Sequence, residues 1–161
     1  MDIFDYAMKM EKEGESFYLI LASNAMNKGL KDIFNLLAKE ESKHYKVFQA
    51  MKEENKIQFQ EHTLLPAVKS IFKTMKEEDM IFDGDLDQKE AWIKAQELEK
   101  KSEEFYLEKS RQATDRGQKL IFQKLATEEK QHYWLLDNLI EFLARPDRWL
   151  ENAEWSHFEE Y

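Results

Sequence analysis

The sequence predicts an all-α fold built from one helical hairpin used twice. Three observations carry that expectation. Only two prolines and four glycines occur in 161 residues, too little turn material for a sheet protein of this size. Lys, Glu, Leu, Ala and Met are abundant, and all are strong helix formers. The stretch Met10–Tyr45, "MEKEGESFYLILASNAMNKGLKDIFNLLAKEESKHY", also returns without a gap as Leu98–Tyr133, "LEKKSEEFYLEKSRQATDRGQKLIFQKLATEEKQHY". A single offset of 88 carries Glu11 to Glu99, Phe17-Tyr18 to Phe105-Tyr106, Gly29 to Gly117, Glu41 to Glu129 and His44-Tyr45 to His132-Tyr133. About half of the aligned positions are identical, well beyond what shared helical composition produces.

The elements follow in order. The first helix is expected over about 2–24 and the second over about 29–54; their copies run over about 88–112 and 117–144. "NKG" and "DRG" mark the two reversals, where glycine is expected to supply the backbone angles of a tight turn. "DQKE" (Asp87–Glu90) has the form of a capping box opening the third long helix. The hairpins thus occupy about 2–54 and 88–144, with a crossover over about 55–87 between them. The crossover holds a short amphipathic helix, "LLPAVKSIFKTMKEED", with Pro66 near its start. "DGDLD" (Asp83–Asp87) lacks the remaining spacing of a calcium loop and reads as a turn. Two antiparallel hairpins joined by a long crossover give a four-helix bundle of ferritin-like connectivity, one domain over 1–145. Arg145-Pro146 ends the last helix. The aromatic tail over 146–161, with Trp149, Trp155 and Phe158, is expected to pack on the bundle or on a partner subunit.

Charge and composition remove several function classes. A formal charge of −9 disfavours nucleic acid and anionic membrane as partners. No apolar run approaches the ~20 residues of a membrane span. The acidic opening "MDIFDYAMKMEKEGE" does not read as a signal peptide, so the expected location is the cytoplasm. With no cysteine, disulfides and thiolate metal sites are excluded.

The chemistry lies in the apolar stripes. In the second helix the stripe runs Leu30, Phe34, Leu37, Glu41, His44, Phe48, Met51. In the fourth long helix it runs Phe122, Leu125, Glu129, His132, Leu136, Leu139, Leu143. Each is apolar except for one Glu-x-x-His pair, which therefore faces the interior. The first helix contributes Phe4, Ala7, Glu11, Gly14, Tyr18, Leu21, and the third Trp92, Ala95, Glu99, Ser102, Tyr106. Four buried carboxylates would each cost several kcal/mol unless compensated, and no matched Lys or Arg stands in the seam. Divalent cations resolve the conflict. Glu at i and His at i+3 share a helix face, and the mixture of oxygen and nitrogen donors suits iron or manganese, with zinc also accepted. Candidate ligands are Glu11, Glu41, His44, Glu99, Glu129 and His132, a constellation described for di-iron carboxylate bundles.

Other residues are weaker candidates. Glu15 and Glu103 also match in the repeat; as ligands, partners of the ligands or exposed acids, they stay open. Gly14 and Ser102 either leave room for a bound oxygen species or serve helix packing. Tyr18 and Tyr106 either hydrogen-bond the ligand carboxylates or are core aromatics. A third Glu-x-x-His, Glu154 with His157, has no copy at the 88 offset and reads as tail surface or packing. His62 reads as an exposed residue of the crossover.

"MEKEGESFY…AKEESKHY" and "LEKKSEEFY…ATEEKQHY" together resemble the rubrerythrin-like branch of the ferritin-like superfamily. The resemblance implies two iron ions, with Glu41 and Glu129 bridging, Glu11 and Glu99 terminal, and His44 and His132 one per metal. It implies an oxidoreductase acting on hydrogen peroxide or dioxygen. The absence of cysteine means that the resemblance does not extend to a rubredoxin domain, so electrons are expected from a separate donor such as a rubredoxin. A homodimer is the expected assembly. The competing expectations are a ferroxidase or iron-handling protein of ferritin type, and a metal-free helical scaffold for partner binding.

Overall fold

The computed structural model describes residues 2–57, 64–77 and 88–144. Five helices are present: α1 (Ile3–Asn24), α2 (Lys28–Lys52), α3 (Leu64–Glu77), α4 (Lys89–Gln112) and α5 (Arg116–Ala144). Among the described residues there is no strand, and no helix is long and apolar enough to cross a membrane. The chain divides into two compact units, Met1–Leu86 and Asp87–Tyr161, with the division at the start of the second repeat. The expected tail, the "DGDLD" turn, His62, and the Glu154/His157 pair lie outside the described residues.

In the first unit α1 and α2 form an antiparallel hairpin. Asp2 caps α1, its Oδ1 accepting the Asp5 N–H at 2.8 Å, so the helix begins one residue later than the sequence suggested. Of its expected stripe Ala7, Glu11, Tyr18 and Leu21 are buried, while Phe4 and Gly14 are only half-buried. All seven expected stripe residues of α2, from Leu30 to Met51, are buried too. The helix α2 ends when Glu54 takes a left-handed conformation, φ 56°. The N–H of Asn55 then reaches Ala50 O at 2.9 Å, and that of Glu54 reaches Met51 O at 3.2 Å. This crossed pair of bonds is a Schellman ending, usually built on glycine. Lys52 bonds Asp5 and stands 4.0 Å from Asp2, linking the end of α2 to the start of α1. The helix α3 buries Leu64, Val68, Phe72 and Met75, at intervals of three and four, and packs on α2.

The second unit repeats the hairpin with α4 and α5. Trp92, Ala95, Glu99, Ser102 and Tyr106 are buried on α4; Phe122, Leu125, Glu129, His132, Leu136 and Leu139 are buried on α5. The expected capping box rests on Asp87, which lies outside the described residues. The residue flanking α4, Gln88, makes no side-chain capping bond. Gln96 instead fastens α4 to α5, donating from Nε2 to Tyr133 O and to Asp137 Oδ1, each at 3.3 Å.

The two reversals overturn one expectation. Neither Gly29 nor Gly117 has a positive φ; both lie inside a helix. The turn is made by the residue two places earlier. Asn27 Oδ1 accepts the Leu30 N–H at 3.1 Å, and Asp115 Oδ2 accepts the Gln118 N–H at 2.9 Å. These are N-caps, at positions 88 apart. Ala25 and Ala113, also matched, close the preceding helices in extended conformation, ψ 130° and 133°. Gly29 serves packing instead: a Cβ there would stand 2.5 Å from Met75 Sδ of α3.

Candidate metal centre

Each unit gathers one Glu from its first helix and a Glu-x-x-His from its second. In the first unit Glu11 of α1 and Glu41 and His44 of α2 are 1%, 3% and 2% exposed. Each offers a donor atom within 4.8 Å of the others. His44 Nδ1 lies 3.4 Å from Glu11 Oε1. In the second unit Glu99, Glu129 and His132 stand under the same 4.8 Å limit and are as deeply buried. His132 Nδ1 lies 3.3 Å from Glu99 Oε1 and 3.9 Å from Glu129 Oε1. The repeat therefore reproduces geometry as well as residue type: the same nitrogen of the same histidine faces the same carboxylate, within 0.1 Å.

That spacing suits cation ligands. Donors bound ~2.1 Å from one cation, at right-angle to tetrahedral geometry, stand about 3.0–3.4 Å apart. The contact in the first unit is not aligned as a hydrogen bond, since His44 Nδ1 carries none. Glu11 Oε2, Glu99 Oε2 and both carboxylate oxygens of Glu129 are likewise buried atoms carrying no hydrogen bond, although these residues are held by further contacts. Among the described residues whose burial is known, no Lys or Arg is buried in the seam. Oxygen and imidazole donors without a thiolate fit iron or manganese, and also accept zinc.

Helix geometry explains how the sequence places each donor. Positions i and i+3 lie on one helix face, so Glu41 presents with His44 and Glu129 with His132. Each pair has apolar neighbours one turn away on both sides, Leu37 and Phe48 in α2, Leu125 and Leu136 in α5, all buried.

Glu15 and Glu103 join neither donor group. They make matched ion pairs instead, Lys12 with Glu15 at 3.1 Å and Lys100 with Glu103 at 3.7 Å. Tyr18 and Tyr106 are buried in the core. The ring of Tyr106 packs against Phe122, centroids 6.2 Å apart, and against Phe105 at 5.8 Å. The space beside Gly14 is used differently from either expectation. A Cβ at Gly14 would lie 3.0 Å from Glu41 Oε2 and 3.4 Å from its carboxyl carbon, so the room is taken by the Glu41 carboxylate. Sequence reading also missed Gln96, whose bond to Tyr133 O braces the chain beside His132. No repeat signal announces it, because its counterpart is Met8.

A family model described as Rubrerythrin matches residues 2–140, nearly the whole described chain. No curated protein and no solved structure gives a match.

Proposed function

This chain belongs to the rubrerythrin family and has its all-α, ferritin-like class, and from that premise we propose a non-haem di-iron oxidoreductase. Its oxidant is hydrogen peroxide or dioxygen, and its electrons come from a separate donor protein such as a rubredoxin. The observation that carries this reading is the doubled, buried Glu-Glu-His set with its matched His–Glu contacts of 3.4 and 3.3 Å. In this reading the six side chains would hold two cations, Glu41 and Glu129 in the bridging role, Glu11 and Glu99 in the terminal role, and His44 and His132 one per metal. Charge supports it: four carboxylates balance two divalent cations, so that the loaded donor set is neutral and its burial tolerable.

When bound, the two irons would supply one electron each for the two-electron reduction of peroxide, which with two protons yields two waters. The protein's own part is positional. The carboxylates fix where the cations stand, and the imidazoles present neutral nitrogen. The leucine and phenylalanine neighbours of the donors keep bulk water from competing for the ligand positions.

Metal analysis of protein purified without chelators should find two metals per chain, falling to one or none in Glu41→Ala and Glu129→Ala. In anaerobic stopped-flow the reduced protein should be oxidised rapidly by peroxide. Metal-free protein whose melting temperature ignores added iron would sink the reading in favour of a helical scaffold. Fast oxidation only in the presence of excess ferrous iron and dioxygen would redirect it to ferroxidase chemistry.

A further inference from the structure

Resting on the two-cation reading above, we propose that Gly14 is a positioning residue for Glu41: its bare backbone is the wall against which the Glu41 carboxylate sits, making the two repeats unequal as donors. Glycine inside a helix is unfavourable relative to alanine, so its presence in the middle of α1 needs a cause. The fold of the hairpin is not that cause. The matching position in α4 is Ser102, and the second hairpin forms with a side chain there. Nor is the backbone conformation, since Gly14 has no positive φ.

Gly14 stands directly against Glu41. An added Cβ would approach Glu41 Oε2 to 3.0 Å, Cδ to 3.4 Å and Cγ to 3.5 Å. Ordinary contact between carbon and a carboxylate oxygen is wider, so the carboxylate would have to retreat by a few tenths of an ångström. Glu41 is only 3% exposed, which limits where it can go. Without cations the side chain can absorb the shift by small rotations about its own bonds. With its oxygens held by cations it cannot, because metal–oxygen distances tolerate only about 0.2 Å. The cost of a side chain at position 14 therefore appears on loading, and little of it before.

Cobalt(II) is the probe, since its visible absorption reports ligand geometry directly. Apoprotein is titrated with cobalt(II), and thermal melts are taken before and after loading, for wild type, Gly14→Ala, Gly14→Ser and Ser102→Ala. Gly14→Ala should weaken cobalt binding roughly tenfold and move the visible bands, while its apoprotein melts no lower than wild type. Gly14→Ser should do at least as much, and Ser102→Ala should stay within about twofold of wild type, that being the scatter expected where no ligand is displaced. Wild-type affinity and spectrum in Gly14→Ala would overturn the inference alone. So would an apoprotein of Gly14→Ala destabilised as much as the loaded form, which would make the glycine a packing residue. Wild-type protein that takes up no cobalt overturns the two-cation reading and this inference with it.

Discussion

Changing Glu129 to glutamine should stabilise the protein without metal and destabilise it with metal. Glu129 is 1% exposed and offers an oxygen within 4.8 Å of one from Glu99, itself 3% exposed. Two unit charges at that distance repel by about 3.5 kcal/mol at an effective dielectric of about 20. His132, 3.9 Å from one and 3.3 Å from the other, offsets part of this if it carries a proton. Glutamine keeps the shape and removes the charge, so the metal-free variant should gain up to about 3.5 kcal/mol, the repulsion just given. At about 2–4 °C per kcal/mol for a chain of this size, melting should rise by several degrees and by no more than about 14 °C. Loading reverses the sign. On the proposed reading two cations, each at a hundred times its dissociation constant, would stabilise the wild type by about 5.4 kcal/mol; the variant lacks one anionic donor and should keep less than half of that. Melts followed by circular dichroism, in chelator and in ferrous iron under argon, check both halves. A metal-free Glu129→Gln that melts below wild type would refute the reasoning, because the carboxylate would then be an asset of the empty fold.

The remaining predictions concern the scaffold. Asn27→Ala and Asp115→Ala each remove a capping acceptor and should cost about 1 kcal/mol, a fall of about 2–4 °C in melting temperature; the glycine variants should cost only tenths. Glu54→Gly should raise stability by about 1 kcal/mol, since it relieves a left-handed non-glycine residue at the end of α2; an unchanged urea midpoint would count against the Schellman ending. Gly29→Ala should cost about 1–3 kcal/mol by overpacking against Met75, read from the same urea curves. The Lys52 hydrogen bond holds the Asp5 carboxyl below its ordinary 3.8, and the same bond raises Lys52 above 10.5. The Asp5 share of this stabilisation is present above 3.8 and lost as pH falls through the lowered value. The Lys52 share is present below 10.5 and lost as pH rises through the raised one. Lys52→Gln should therefore melt slightly lower than wild type across the interval between, and the gap should close at either extreme and in high salt.

The helices were legible because burial in a hairpin leaves a periodic trace. Leu30, Phe34, Leu37, Phe48 and Met51 recur at three- and four-residue steps, and the structure buries every one. The short helix of the crossover shows the same trace in Leu64, Val68, Phe72 and Met75. The turns were less legible, for a physical reason. Asn27 and Gly29 stand two residues apart, and both residue types favour reversals. A hydrogen bond from a side chain and a permissive backbone leave the same kind of mark on a sequence, and only the angles of Gly29 and Gly117 separate them. Glu54 shows the converse, a left-handed position that no glycine announces.

The donor set was more legible than the turns because its demands are incompatible with everything around it. A leucine in a stripe can be exchanged for another apolar residue, so stripes drift, and the two repeats differ at many such positions. A buried glutamate has no such freedom: out of place it is a desolvated charge with nothing to hold. Glu11, Glu41 and His44 therefore reappear unaltered 88 residues later, and their contacts reappear with them, 3.4 Å in one half and 3.3 Å in the other. What the repeat hides is the departure from symmetry. Gly14 and Ser102 read as equivalent small residues, but Gly14 carries no Cβ, and one placed there would meet Glu41 Oε2. Duplication of a hairpin yields two identical donor sets at the outset. If the proposed site holds cations, a difference between the halves would enter through residues like these, which touch a donor side chain and are not donors themselves.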